Sequence, residues 1–427
     1  MKYIISTLGC KVNQYETQAM EEILKQRGHS AVEDSCADVI IVNTCAVTAE
    51  RGRKCRQTIR AMQDKNPNAM LAVCGCYAQV APDVMEELGA TVLYGSGDRL
   101  RFVDDIEKAY FEKQPIRNVD EPFNRNQFEE LPAGSYSGRT RAMIKVQDGC
   151  TNFCTYCIIP FARGALRSLP VKNAVSQAKK LREEGYKELV ITGIEIASYG
   201  YDLDEDVKLD DLIAAIAENV PEMRLRLGSL EPTVINEGFC KRISAYPNIC
   251  RHFHLSLQSG CDRTLKAMNR KYDTSAFYHV VELLRHYFPG CGLTADLIVG
   301  FPDETEEDFQ NTLDFLRKCA FSQVHIFPYS RRKGTVADTM DHQITNGEKK
   351  RRAHLAKQVT DETRSDFLHG CIGKTLPVLF ETTDGKTWQG HSDTYLSVTA
   401  EGNDLRGFVR NVKIKDVKGE NLVGDIL

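Results

Sequence analysis

Cys150, Cys154 and Cys157 stand in the spacing C-x3-C-x2-C, directly after an apolar run at residues 142–146. Three thiolates on one loop can hold three irons of a [4Fe–4S] cube and leave the fourth iron without a protein ligand. An open iron suits a cluster that does chemistry on a bound molecule. A structural zinc site would favour paired C-x2-C motifs and a fourth ligand close by, and neither is present. Ferredoxin-type clusters favour C-x2-C-x2-C runs with a fourth cysteine completing each cube, which this stretch also lacks.

Three more cysteines follow apolar runs nearer the amino terminus: Cys10 in TLGCKVN (7–13), Cys45 in VNTC (42–45) and Cys76 in CGCYAQ (74–79). Loops at the carboxyl ends of parallel strands open on one crevice. Three thiolates meeting there can hold a second, auxiliary [4Fe–4S] cluster, again with an open iron. Cys74 competes with Cys76; strand alternation does not separate them, and Gly75 favours Cys76 by suiting a loop that brings backbone close to a cluster. A lone cysteine is more often a small buried hydrophobe. Cys36, Cys55, Cys240, Cys250, Cys261, Cys291, Cys319 and Cys371 are read that way. Fifteen cysteines, an odd count in a long chain, also argue against a disulfide framework.

The elements that position these thiols follow from hydrophobic periodicity. At 427 residues the chain suits about three domains. Over the first ~95 residues, strands at 3–7, 39–43, 69–73 and 91–94 alternate with helices at 14–27, 47–64 and 82–88, the pattern of a doubly wound parallel sheet. A polar stretch at 113–138 reads as a linker. Six further βα units follow, with strands at 142–146, 188–192, 224–227, 252–257, 293–299 and 323–327. Six is short of the eight of a closed barrel, so the expectation is an open partial (βα)6 barrel. A charged helix at 346–369 leads to strands at 375–381, 387–391, 395–400 and 407–415, a small antiparallel β-barrel. The expected domains are 1–112, 139–369 and 370–427, in an α/β chain.

Hydrophobic content of 42% and charged content of 27% are those of an ordinary globular protein. The amino-terminal apolar run is too short for a signal peptide, and no segment reaches the ~18 apolar residues needed to span a bilayer. The expectation is a cytoplasmic protein with no membrane partner. A net charge of −4 means that any nucleic acid must be met by local basic patches.

With both triplets in place, the chain resembles the methylthiotransferase family of radical-SAM enzymes over essentially its full length. The residues that carry the resemblance are TLGCKVNQYE (7–16), VNTCAVT (42–48), CGCYAQ (74–79), DGCTNFCTYCIIPFARG (148–164), LSLQSG (255–260) and DLIVGFP (296–302). Lys11-Val12 is similar to the MtaB type, where isopentenyladenosine-modifying relatives usually carry Gln-Met and relatives acting on a ribosomal protein usually carry Pro-Lys. The terminal barrel resembles a TRAM domain, an RNA-binding module. Thr151, Asp303 and Arg51-Gly52 depart from the usual pattern, and none is a cluster ligand.

The resemblance implies two [4Fe–4S] clusters and S-adenosylmethionine as cofactors, the latter as methyl donor and radical source. It also implies a tRNA anticodon stem-loop as partner, with methylthiolation at C2 of N6-threonylcarbamoyladenosine at position 37, and an electron donor such as a flavodoxin or ferredoxin. Tyr156 stands where the superfamily usually places an aromatic residue against the cofactor. Glu195, Glu231 and Gln258, at the ends of central strands, are further candidates for binding S-adenosylmethionine. A radical mechanism asks little acid–base work of side chains, so no general base is assigned.

Arg51, Arg53, Lys54, Arg56 and Arg60 crowd one helix and could grip phosphates; a solvated helix face is the plainer reading. From Gly370 onward 7 Lys+Arg face 8 Asp+Glu, so RNA binding there would use one face, with Arg406, Arg410 and Lys413. Rival readings are the same chemistry on isopentenyladenosine tRNA or a ribosomal protein, and a non-enzymatic iron–sulfur redox protein.

Overall fold

The computed structural model describes residues 1–33, 36–132 and 140–427. The amino-terminal part is a six-stranded sheet built on Lys2–Thr7, Val39–Thr44, Met70–Gly75 and Val92–Tyr94, all parallel. Strand alternation sends Ile40, Val42 and Val73 to one face and Tyr3, Val39, Ile41, Ala72 and Cys74 to the other, so each face has its own packed core.

Three features here differ from the periodicity reading. Ser30–Ala31 and Ile116–Asn118 add short parallel edge strands, so the sheet takes in residues read as linker; 133–138 of that linker lie outside the described residues. The helix after the first strand begins at Lys11, not 14. A helix at Arg99–Glu112 buries Phe102, Val103, Ile106 and Ala109 on the sheet; its first residue follows Asp98, which makes no side-chain cap bond.

The central part contains the six expected strands: Arg141–Asp148, Glu188–Gly193, Arg224–Leu227, His252–Gln258, Gly292–Val299 and Gln323–Pro328. With the short strands Arg167–Ser168 and Ser229–Leu230 they form two four-stranded sheets, and an isolated bridge pairs Leu225 with Ile249. Among the described residues, Gln323–Pro328 pairs only with Gly292–Val299, which leaves the barrel open. Ala142, Ile144 and Val146 pack outward against the helices, and the alternate Arg141, Met143, Lys145 and Gln147 lie on the opposite, lumen side.

The helix Asn346–His369 leads into a closed barrel of Thr375–Thr383, Thr387–Ser392, Ser397–Glu401, Val409–Lys418 and Asn421–Ile426. The last strand, one more than expected, completes the closure. The barrel docks on the amino-terminal ends of the central strands. Arg141 pairs with Glu381 at 2.8 Å, Arg251 with Asp393 at 2.7 Å, and Arg226 donates to the carbonyls of Ser392 and Asp393 at 3.0 Å.

Candidate functional site

Cys10, Cys45 and Cys76 each leave the carboxyl end of a strand in the first sheet, and the structure brings them together. Cys45 lies in the electrostatic reach of both Cys76 and Cys10. Two glycines permit this approach. Gly9 has φ +121, and a Cβ there would meet Cys45 Sγ at 2.9 Å; Gly75 has φ +103, and a Cβ there would meet Thr44 N at 2.6 Å. Cys74 points to the opposite face of the sheet, among Tyr3, Met20, Ala72 and Phe102. Cys55, read as structural, packs directly behind Cys45, whose backbone N–H donates to its Sγ at 3.5 Å.

Burial pushes the Cys45 thiol up to about 12, so ligation there must itself displace a proton. A cation stands ready to offset thiolate charge. Arg163 Nε donates to Cys76 Sγ at 3.1 Å, and its Nη2 donates to Asn13 Oδ1 at 2.9 Å and Glu16 Oε2 at 3.2 Å. Arg163 also pairs with Asp148 at 3.4 Å, Lys145 joins Asp148 at 3.2 Å and Glu16 at 3.5 Å, and Arg99 joins Glu16 at 3.2 Å. Arg163, Glu16, Arg99 and Lys145 are all fully buried. Arg163 lies in the quoted motif at 148–164, but its partner Glu16 is 147 residues away.

Asp148 leads straight into the second triplet. Gly149, at φ +75, lets the chain pass within contact of Gly164 and Ala165. The loop is then pinned from the far side of the barrel: Thr155 N–H donates to Met268 O at 3.1 Å, and Asn269 Nδ2 donates to Phe153 O at 3.0 Å. Cys150 and Cys157 lie in reach of each other and of Cys154, and burial pushes the Cys157 thiol up to about 12. Arg270 Nη1 donates to Cys154 Sγ at 3.1 Å.

Among the described residues, no three His, Cys, Asp or Glu side chains converge on a single metal ion. A cubane cluster holds its ligand sulfurs further apart than one ion does. Two all-cysteine triplets, each with a guanidinium against one sulfur, are donor sets that suit anionic iron–sulfur clusters.

Glu195 and Glu231 meet beside the second triplet. Asn152 Nδ2 donates to Glu231 Oε2 at 2.6 Å and to Glu195 Oε2 at 3.4 Å, and Arg270 approaches Glu231 at 3.5 Å. Burial, then the charge of Glu231, pushes Glu195 up to about 8. A pair of crowded carboxyls favours an incoming cation such as an ammonium group. Tyr156 and Gln258 line a cavity of about 240 Å³ with Val47, Thr48, Asp296 and Tyr329. Val47 and Thr48 belong to the loop after Cys45 and Tyr156 to the second cysteine loop, so both loops wall the cavity. Arg332 donates to Ala46 O and lies in the field of Cys45 and Cys157 alike.

Of the basic helix, Arg51, Arg53, Lys54 and Arg60 are exposed, whereas Arg56 donates to the Tyr77 hydroxyl at 2.6 Å. Arg406, Arg410 and Lys413 are exposed on the terminal barrel. The sequence reading singled out none of Arg163, Asn152, Arg270 and Arg332, because their roles depend on contacts distant in the chain.

Residues 144–316 match the model of the radical SAM superfamily, and residues 2–95 match that of uncharacterized protein family UPF0004. The threonylcarbamoyladenosine tRNA methylthiotransferase MtaB of Bacillus subtilis is 37% identical, over 96% of this chain and 92% of its own. The tRNA-2-methylthio-N(6)-dimethylallyladenosine synthase of Alkaliphilus oremlandii is 32% identical, over 100% and 93%. Among solved structures, the radical S-adenosylmethionine methyltransferase TsrM of Kitasatospora setae superposes with a TM-score of 0.57 at 14% identity, covering 90% of this chain and 79% of its own, which speaks to the fold alone. Near-full-length identity at this level, together with the radical SAM and UPF0004 matches, makes the chain a member of the radical-SAM methylthiotransferase family.

Proposed function

We propose that this enzyme adds a methylthio group to C2 of N6-threonylcarbamoyladenosine at position 37 of tRNA, using S-adenosylmethionine as methyl donor and radical source. The observation that carries the reading is one cavity walled both by Val47–Thr48, which follow Cys45 in the chain, and by Tyr156, which stands between Cys154 and Cys157.

In this reading Cys150, Cys154 and Cys157 hold one [4Fe–4S] cluster, and Cys10, Cys45 and Cys76 hold the other. When bound, the clusters supply the electron for cleaving S-adenosylmethionine and the site of sulfur attachment. The protein's own groups do the rest. Glu195 and Glu231 accept the ammonium of the methionyl group, and Asn152 sets the spacing of the two carboxyls. Tyr156 and Gln258 shape the cavity wall. Arg163 and Arg270 offset thiolate charge at Cys76 and Cys154.

The three parts divide the labour: 1–112 carries the sulfur-bearing centre, 139–369 generates the radical, and the TRAM-like barrel at 370–427 holds RNA through the face bearing Arg406, Arg410 and Lys413. A one-electron donor such as a flavodoxin or ferredoxin completes the cycle. No helix among the described residues is long and apolar enough to cross a membrane; a tRNA substrate supports a cytoplasmic enzyme.

The test is mass spectrometry of tRNA nucleosides from a strain lacking the gene. Loss of 2-methylthio-N6-threonylcarbamoyladenosine supports the proposal. Loss of the isopentenyl counterpart instead would reassign the substrate to the second relative's class.

A further inference from the structure

A second cavity, of about 340 Å³, is walled by all three parts of the chain: Lys11 from the first, Arg141 and Arg226 from the central barrel, and Glu381 and Tyr395 from the terminal barrel. Its charges are unequally satisfied. Arg141 is paired with Glu381 at 2.8 Å, and Glu381 is further held by His391 and, at 3.1 Å, by Thr140. Arg226 is paired with Glu188 at 2.7 Å. Lys11 differs: its side chain is exposed to the cavity, and among the described residues its ammonium has no hydrogen-bonded or ion-paired acceptor. Burial and the charges of Arg226 and Arg141 weigh against its ammonium, and Glu188 offsets them only in part.

Tyr395 is the second unusual feature. This bulky residue sits at φ +67, a backbone conformation that costs free energy unless the surroundings hold it. The guanidinium of Arg226 lies 4.8 Å and that of Arg141 5.5 Å from its ring centroid. The cavity is therefore a cationic, aromatic-walled space in which, among the described residues, one ammonium has neither a hydrogen bond nor an ion pair.

We propose that this cavity binds the carboxylate of the substrate base's N6 substituent, with Lys11 as the residue that selects it. The inference rests on the proposed function, because a threonylcarbamoyl group ends in a carboxylate and an isopentenyl group is wholly apolar. Position agrees with chemistry. Lys11 directly follows Cys10 in the chain, and on adenine the N6 substituent and C2 flank opposite sides of N1. A substituent held at Lys11 leaves the C2 edge free to face the cysteine triplet. An apolar substituent in the same place would leave the ammonium unpaired and desolvated, a penalty that enforces selection.

The same anion chemistry exists in the RNA backbone, so the test must separate carboxylate from phosphate. Reconstituted enzyme is assayed with one stem-loop bearing N6-threonylcarbamoyladenosine, its neutral methyl ester or isopentenyladenosine, with wild type, Lys11→Gln and Lys11→Arg. The expected result is a KM for the acid raised about ten- to hundredfold in Lys11→Gln, little change for the ester, and recovery to within a few fold in Lys11→Arg. The acid-to-ester ratio is taken within one preparation, so differences in cluster content cancel. An unchanged acid-to-ester ratio in Lys11→Gln overturns the inference, whether neither KM moves or both rise equally, the latter assigning Lys11 to a phosphate. If wild-type enzyme prefers isopentenyladenosine RNA over both, the substrate reading itself falls.

Discussion

Arg163→Met removes the side chain that ties the two cysteine loops together, and its cost can be worked out from its partners. Arg163 is fully buried, and its guanidinium serves Cys76, Asn13, Glu16 and Asp148 at once. Glu16, also fully buried, is held down to about 2 against its ordinary 4.5: burial opposes ionisation, and Arg163 is the largest charge overcoming it. Leaving that buried carboxylate without its main cation costs about 3 kcal/mol. Loss of the bonds to Asn13 and Cys76 adds roughly 1 kcal/mol each, and Arg99 and Lys145 remain to soften the loss at Glu16. The expected destabilisation is about 3–5 kcal/mol, the range for breaking one side of a buried ion pair. It should lower the melting temperature by on the order of 10 °C. Because the folded pKa of Glu16 is depressed, its stabilisation is full above pH 4.5 and drains as pH falls toward 2; Arg163→Met should flatten that acid limb. Anaerobic urea and thermal denaturation of the cluster-loaded enzyme at neutral and acid pH would measure both effects. A loss under about 1 kcal/mol, or an unaltered acid limb, would refute the assignment of Arg163 as the tie.

Cys74→Ala should cost about 1–2 kcal/mol for a small cavity in the sheet core and leave iron content unchanged, since Cys74 faces away from the other thiols; lost iron on analysis would restore it as a ligand. Glu231→Gln should weaken binding of S-adenosylmethionine about tenfold in equilibrium dialysis, and affinity within twofold of wild type would remove the carboxyl pair from the cofactor site. Arg270→Gln deletes a cationic donor to Cys154 Sγ. It should lower the midpoint potential of that cluster by on the order of 20–60 mV in an EPR-monitored titration, and a rise would contradict the charge-offset role.

Much of this architecture was legible because it depends on local pattern. Six central strands were readable from apolar runs, and Cys10, Cys45 and Cys76 from their common position after strands of one parallel sheet. What escaped was non-local or very short. Ile116–Asn118 is three residues with an exposed arginine at its centre and gains its identity only by pairing with Val92–Tyr94. The Arg99–Glu112 helix starts without a side-chain cap. Strand alternation left Cys74 and Cys76 unresolved because Gly75 turns the chain out of the strand at φ +103, which is a property of the fold. Arg163, Asn152 and Arg270 look like ordinary polar residues until folding brings them against thiols and carboxyls from other elements.

Two separate cysteine triplets, each holding a four-iron cluster, underlie every role proposed above. Iron and sulfide analysis with Mössbauer spectroscopy, on anaerobically reconstituted wild type and on the triple alanine variants of Cys10/Cys45/Cys76 and Cys150/Cys154/Cys157, tests this directly. The expected result is about eight irons per wild-type chain and about four in each variant, with distinct spectra from the two remaining clusters. Retention of about eight irons in either variant, or loss of all iron in both, would contradict it.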